Sequence, residues 1–390
     1  MPSLSRRDAL KSLPALAVGL AGCSALAEED HDSPVSTAWQ TKQFDPVPGA
    51  QPDGGPLLVG SRSPFNNDPM LSALDPGTGE ERWTVSGRDG RGSPVAADDR
   101  FAYVFSKAEQ ALAVDFATGE IVWKTNVGPV DEADPGVVEF APVPAGEQVF
   151  VPISGTEDDV PDRVEGLAKA NGDTRFAHDL SASLAGAPAR DGAGLVVPLL
   201  DGTLRRITAD GTEDWRLDLG AAMSDVAVAD GTVYVGSATE ELLAVDAATG
   251  EVQWRAPLEN TVFTRPLVAG DRVYVAAADY YLYALDAGSG ERLWRSEAAS
   301  AFTSGPVMVD DRLVTMVGGQ VNQRGPSGTV PFFPDAVYVH DTAGKQVNEY
   351  RFEGYQDGGS PMWVARMGEA VYVGQERSLS RVSEEVFDDA

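Results

Sequence analysis

The chain has 390 residues, with 30 basic and 60 acidic side chains and a net charge of −30. That balance excludes nucleic acid as a partner, because polyphosphate binding needs a basic surface. The single cysteine, Cys23, excludes an internal disulfide framework.

Taken in order, the chain opens with Arg6, Arg7 and Lys11 ahead of an apolar run from Leu13 to Gly22. That run is too short to span a bilayer and reads as a signal segment over residues 1–22. Arg6 and Arg7 resemble the twin-arginine export signal, with Ala9 where that signal usually carries Phe. Leu20-Ala21-Gly22-Cys23 resembles a lipobox, so Cys23 is the expected lipidation site. The alternative is an ordinary cleavable signal. Residues 23–36 are small and acidic and read as a tether. The acidic residues further on are spread over nearly every loop. Such a surface is expected of a halophile, here a haloarchaeon, where screening over about 3 Å at 1 M salt makes self-repulsion tolerable.

From residue 37 to 384 a repeat takes over. Ala244-Val245-Asp246-Ala247-Ala248-Thr249-Gly250-Glu251-Val252-Gln253-Trp254 is its clearest copy, and it recurs around Asp75/Trp83, Asp115/Trp123 and Asp286/Trp294. Each copy reads as a hairpin that needs neighbours to bury its apolar face. Gly250 supplies the positive φ of a short turn, Asp246 accepts turn N–H groups, and Trp254 is placed to cover the next unit. Recurrence at one turn position makes these aspartates structural. Degenerate copies end on Phe176, Trp215 and Tyr350, and the Trp215, Trp254 and Trp294 spacings are 39 and 40 residues. Four antiparallel strands at that period make one propeller blade. Three strands after Ser360 lack a fourth, and Thr37-Ala38-Trp39-Gln40-Thr41 is a strand with no unit of its own. Joining them predicts an all-β, eight-bladed β-propeller of four-stranded antiparallel blades, closed by N- and C-terminal strands in one blade, with seven blades as the alternative. Residues 385–390 are left as an acidic tail.

These repeats resemble the tryptophan-docking repeat of quinoprotein-type, PQQ-like β-propellers, including the BamB-like lipoprotein branch. The enzymes of that family bind pyrroloquinoline quinone (PQQ) beside Ca²⁺ and use an adjacent cysteine pair. This chain has no Cys-Cys and is shorter than those enzymes. The resemblance therefore implies a non-catalytic, membrane-anchored extracytoplasmic scaffold that binds proteins, with no cofactor. The alternative is a PQQ-dependent dehydrogenase, or a degenerate relative of one.

Propeller topology places the Thr-Gly-Glu and Gly-Asp turns on one face. The interblade connectors and the loops between second and third strands share the other. Long insertions at Ser61–Met70, Ile153–Arg163 and Val317–Pro334 all fall on that second face, which is the expected binding face. It would carry Phe65, Tyr280, Tyr281, Phe302, Phe332 and Phe333, with Phe263 and Tyr355 on connectors. Arg62, Arg265, Arg324 and Arg351 lie among them. The alternative is that they line the central channel or cap blade ends as packing. Glu157-Asp158-Asp159 with Asp162, and Asp131, Glu132 and Asp134, read as solvated loops. His31, His178 and His340 are isolated, so no zinc site is expected. The expected state is a monomer, anchored at the outer leaflet of the cytoplasmic membrane, with protein partners the sequence does not name.

Overall fold

The computed structural model describes residues 37–43, 45–62, 68–86, 92–106, 110–127, 140–153, 162–221, 223–298, 301–318, 334–351 and 361–387. Arg6, Arg7 and Cys23 lie outside the described residues, as do the signal segment and the tether up to residue 36.

Alternating β-branched and small residues make the repeats pair into eight antiparallel sheets, so the count is eight blades and not seven. The fifth blade is typical. Ala227–Ala229 is innermost, followed by Thr232–Ser237, Glu241–Asp246 and Val252–Pro257 at the outside. The seventh blade gains a fifth strand, Ala301–Phe302, beside Arg312–Gly318.

The hairpin turn works as its residues predict. The Asp246 carboxylate accepts the Ala248 and Thr249 N–H groups at 3.0 and 2.9 Å, and the Thr249 hydroxyl donates to it at 3.0 Å. Those bonds, the Thr249 N–H first, hold its carboxyl below the usual carboxylate range. Asp75, Asp115 and Asp286 make the same two backbone bonds. Gly250 has φ +74°, and the ladder shifts register between Ala244 and Val245. An L side chain in that left-handed region costs about 1–2 kcal/mol.

The tryptophan docks forward, onto the turn of the following blade. Trp215 Nε1 donates to Ala247 O at 2.9 Å, Trp254 to Ala287 O at 3.0 Å and Trp294 to Thr342 O at 3.0 Å. Trp83 and Trp123 bond in the same way to Phe116 O and Lys169 O. Each ring lies on the turn glycine of that blade, so a Cβ on Gly250 would meet Trp215 at 2.7 Å. Glycine is thus required twice, for φ and for ring contact. Within a blade the tryptophan shares a cross-strand row with a small residue and a tyrosine. The rows are Tyr103–Ala113–Trp123, Tyr234–Ala244–Trp254 and Tyr274–Ala284–Trp294, with Tyr and Trp ring centroids 5.9–6.2 Å apart.

Among the described residues the core divides into eight clusters, each between two adjacent blades. The ring therefore has no unpacked blade face. The last cluster joins Leu57, Val59 and Leu74 of the first blade to Met367, Tyr372 and Leu379 of the eighth. That blade consists of Pro361–Met367, Ala370–Gln375, Ser378–Val382 and, outermost, Thr37–Lys42. Trp39 then docks on the first blade, donating to Pro76 O at 3.0 Å and covering Gly79. Closure removes the open sheet edges that invite aggregation.

One boundary is corrected. Glu384–Phe387 forms a 3₁₀ turn with Val386 fully buried, so residues 385–387 belong to the propeller and not to a tail. The eighth blade has chain termini where other blades have the Thr-Gly-Glu turn. The 3₁₀ turn replaces it: Tyr350, which closes the seventh blade, donates its hydroxyl to Val386 O at 3.2 Å.

Candidate functional site

The innermost strands have no partner on their inner side, and their small residues leave an axial channel. Ala50, Ala96, Val143, Ala187, Val226 and Arg265, from six successive blades, line a cavity of about 590 Å³ there. Its wall is Ala, Pro and Val with Phe140, and Arg190 and Arg265 are its only charged lining residues among those described. Both arginines are exposed and form no ion pair with a described residue. This contrasts with Arg163, Arg205, Arg206 and Arg255, which are all paired on the sheets. Arg265 lies at the channel mouth on the loop-bearing face. Arg190 stands one residue before Asp191, at the end of its inner strand, toward the other face.

Asp225 lies just behind the lining of this channel, next to Val226, and it was not singled out from the sequence. It accepts the Ala187 N–H at 2.7 Å, tying the fifth blade to the fourth. Burial raises its pKa, against the opposing field of Arg265 and the Ala187 bond. Aligning the blades would have found it: Pro94, Ala141 and Ala187 precede the inner strand at the position that Asp225 and then Arg265 take.

The other sequence candidates divide. Phe65, Arg324, Phe332, Phe333, Tyr355 and the side chain of Arg351 lie outside the described residues. Arg62 is exposed, and its N–H donates to Asp45 O at 2.9 Å. Tyr280 is 49% exposed and holds φ +68°, an unusual conformation for a bulky residue. Its carbonyl accepts the Ala298 N–H at 2.7 Å, and Ala278 N–H bonds to Thr261 O at 2.9 Å. These bonds fix the turn of the sixth blade to the connector that bears Phe263, itself 37% exposed, and Arg265. Tyr281 is half-buried under the Arg295 guanidinium, 4.2 Å from its ring centroid, and Arg295 is also bonded to Glu259. Phe302 is corrected: at 4% exposure it leaves the binding face. The strand Ala301–Phe302 turns the ring into the cluster of Tyr338 and Ala298 between the sixth and seventh blades.

Exposed large apolar side chains follow the same division. Leu200, Phe263 and Tyr280 lie on the loop-bearing face, whereas Ile121, Val122 and Leu293 lie on outer strands. No such residue occupies a Thr-Gly-Glu turn among the described residues.

No group of metal-ligating side chains occurs among the described residues. Asp162 is buried and structural, accepting the Leu184 N–H at 2.9 Å. Its proposed neighbours Glu157, Asp158 and Asp159, with Asp131, Glu132, Asp134 and His31, lie outside the described residues. His178 Nδ1 contacts Gly211 O at 3.1 Å. His340 is fully buried, with both ring nitrogens unpartnered. No helix among the described residues is long and apolar enough to cross a membrane.

This geometry defines a class: a tryptophan-docked, eight-bladed propeller whose repeat is structural and whose variable loops share one face. The family model described as outer membrane protein assembly factor BamB matches residues 67–199 and 200–373, and the chain belongs to that family. Among solved structures, BamB from Moraxella catarrhalis is similar with TM-score 0.65 and 16% identity, over 88% of this chain and 97% of that one. The computationally designed protein Ika8 is similar with TM-score 0.62 and 13% identity, over 90% and 98%. These identities carry the fold alone. No curated protein matches the chain in sequence.

Proposed function

We propose that this protein is a non-catalytic scaffold that binds other proteins through its loop-bearing face, held outside the cytoplasmic membrane by a lipid on Cys23. The observation that carries the reading is the corner formed by Phe263, Arg265 and Tyr280. It combines two exposed aromatics, one strained, with an exposed arginine whose field also acts on the buried Asp225. Aromatic and arginine anchors dominate protein interfaces, and strained exposed residues concentrate at functional positions. The family's description as an assembly factor agrees with a binding role. A single cysteine cannot supply the cysteine pair of the PQQ enzymes.

The acidic surface suits this role at high salt, where short-range contacts survive and long-range repulsion is screened. A tagged full-length chain, extracted from membranes at molar salt, is expected to retain a protein partner. Arg265→Glu combined with Tyr280→Ala should weaken that retention at least tenfold, given the weight of such anchors. Equal retention by the variant would refute this corner as the site. Dye-linked alcohol oxidation after addition of PQQ and Ca²⁺ would overturn the non-catalytic reading. Cys23→Ser should move the chain to the soluble fraction, and an unchanged distribution would overturn the lipid anchor.

A further inference from the structure

The channel along the propeller axis has a chemistry unlike the rest of the protein. The chain carries 60 acidic and 30 basic side chains, yet the only charged residues lining the channel among those described are Arg190 and Arg265. Arg190 forms no hydrogen bond or ion pair with a described residue, and the adjacent Asp191 is engaged by Arg206 at 2.7 Å. Arg265 acts on Asp225 behind the wall, but the two form no ion pair, and that carboxylate accepts the Ala187 N–H. Both guanidinium groups therefore keep donors for a further acceptor. Between them the wall is Ala, Pro and Val with Phe140.

The two arginines stand at different depths. Asp191 and Ala269 are equivalent, because each pairs with the first residue of the second strand of its blade, Gly194 and Arg272. Arg265 is then level with Ala187, three residues before Arg190 along the inner strand. Three strand residues cover about 10 Å. The inner strands run from the loop-bearing face toward the turn face, so one cation stands near each end of the apolar wall. The fourth and sixth blades supply them.

These features select among ligands. An inorganic anion would satisfy one arginine and leave the wall wet. A hydrocarbon would cover the wall and leave both cations without an acceptor. A molecule with an apolar middle and an acid at each end meets all three demands. With C–C bonds of about 1.5 Å, an extended chain of about eight carbons has the required reach. The cavity of about 590 Å³ lies within the range of small-molecule sites. The acidic surface repels a dianion at long range, but at 1 M salt that repulsion is screened over about 3 Å, whereas bonds at contact persist. We propose that the axial channel binds a linear aliphatic dicarboxylate, with one carboxylate on Arg190 and the other on Arg265. Forked, charge-assisted bonds hold the two ends, and release of water from the wall favours the aliphatic middle.

Calorimetric titration of the full-length protein with octanedioate, butanedioate and octanoate, in molar salt at fixed ionic strength, tests this. Octanedioate should bind. Butanedioate, too short to reach both arginines, and octanoate, with a single acid, should each bind at least tenfold more weakly. Arg190→Met removes the charge and keeps an apolar stem. It lies away from the corner of Phe263 and Tyr280, so it tests the channel separately from the protein-binding reading. It should bring octanedioate down to the level of octanoate, with the circular dichroism unchanged. Ala96→Leu narrows the channel and leaves both arginines in place, and octanedioate binding should again fall at least tenfold. Absence of octanedioate binding at tens of millimolar, octanoate or butanedioate binding as tightly, or octanedioate binding unchanged in Arg190→Met would each overturn the proposal.

Discussion

Replacing Gly250 by alanine separates the two demands that the repeat makes on its turn glycine. Gly250 has φ +74° and lies under the Trp215 ring, where a new Cβ would sit 2.7 Å from the indole. Gly270, in the other kind of turn, has φ +61° and nothing within 4 Å of a new Cβ. Gly270→Ala therefore carries only the left-handed backbone cost, about 1–2 kcal/mol. Gly250→Ala carries that cost and also displaces a docked ring. Overpacking adds roughly 1–3 kcal/mol, and weakening the Trp215 bond to Ala247 O adds about 1 kcal/mol. The expected gap between the two variants is about 2–4 kcal/mol. Denaturant unfolding in molar salt, followed by tryptophan fluorescence and by circular dichroism, measures it, with an unchanged m-value confirming a change in native stability. Equal destabilisation by the two substitutions would refute forward docking as a source of stability.

Other outcomes follow from individual sites. Burial pushes the His340 pKa down to about 4, despite the nearby Asp341. The unfolded chain takes up a proton near pH 6.5 and the folded chain does not until about pH 4. Stability is then full above pH 6.5 and falls by roughly 3 kcal/mol as the pH drops to 4. His340→Leu, which installs the residue of Leu74 and Leu285, should flatten that slope in pH-dependent melts. An unchanged slope would rule out His340 as its source. Trp39→Ala should cost about 3–5 kcal/mol by opening the seam between eighth and first blades, and a loss below 1 kcal/mol in a denaturant melt would contradict strand closure. Deleting residues 384–390 should destabilise the seventh–eighth blade contact, because Val386 O then no longer receives Tyr350. Hydrogen exchange should show faster exchange in 346–351, and unchanged protection there would argue against the 3₁₀ turn as a substitute hairpin.

Much of the fold was legible because the same short pattern states it repeatedly. Asp246, Gly250 and Trp254 each have one mechanical role, and its recurrence marks it as structural. The unpaired strand at Trp39 and the three-strand C-terminal unit implied each other. What escaped was whatever depends on the neighbouring blade. The carbonyl that receives each indole, and the second reason for the turn glycine, are interblade facts with no local signature. Phe302 looked like a surface anchor because aromatics with arginine on a connector suggest an interface. An additional edge strand turned it inward instead. Residues 385–387 looked like an acidic tail because Val386 and Phe387 are a short apolar signal among acids. Asp225 was missed because its oddity shows only when blades are aligned position by position. The candidate site is expected from the sequence as a face and not as a residue set. Topology gathers the long loops on one side, but exposure and strain at Tyr280 are properties of the folded chain.

The central claim is that function lies on the loop-bearing face and that the repeat turns only build the ring. Tyr280 and Ser289 of the sixth blade lie on those two faces, and both are exposed. A photo-crosslinking residue placed at each, in cells at native salt, compares the faces within one blade. The account predicts a discrete protein adduct at position 280 that is absent at 289. Adducts at 289 alone, or equally at both, would contradict it.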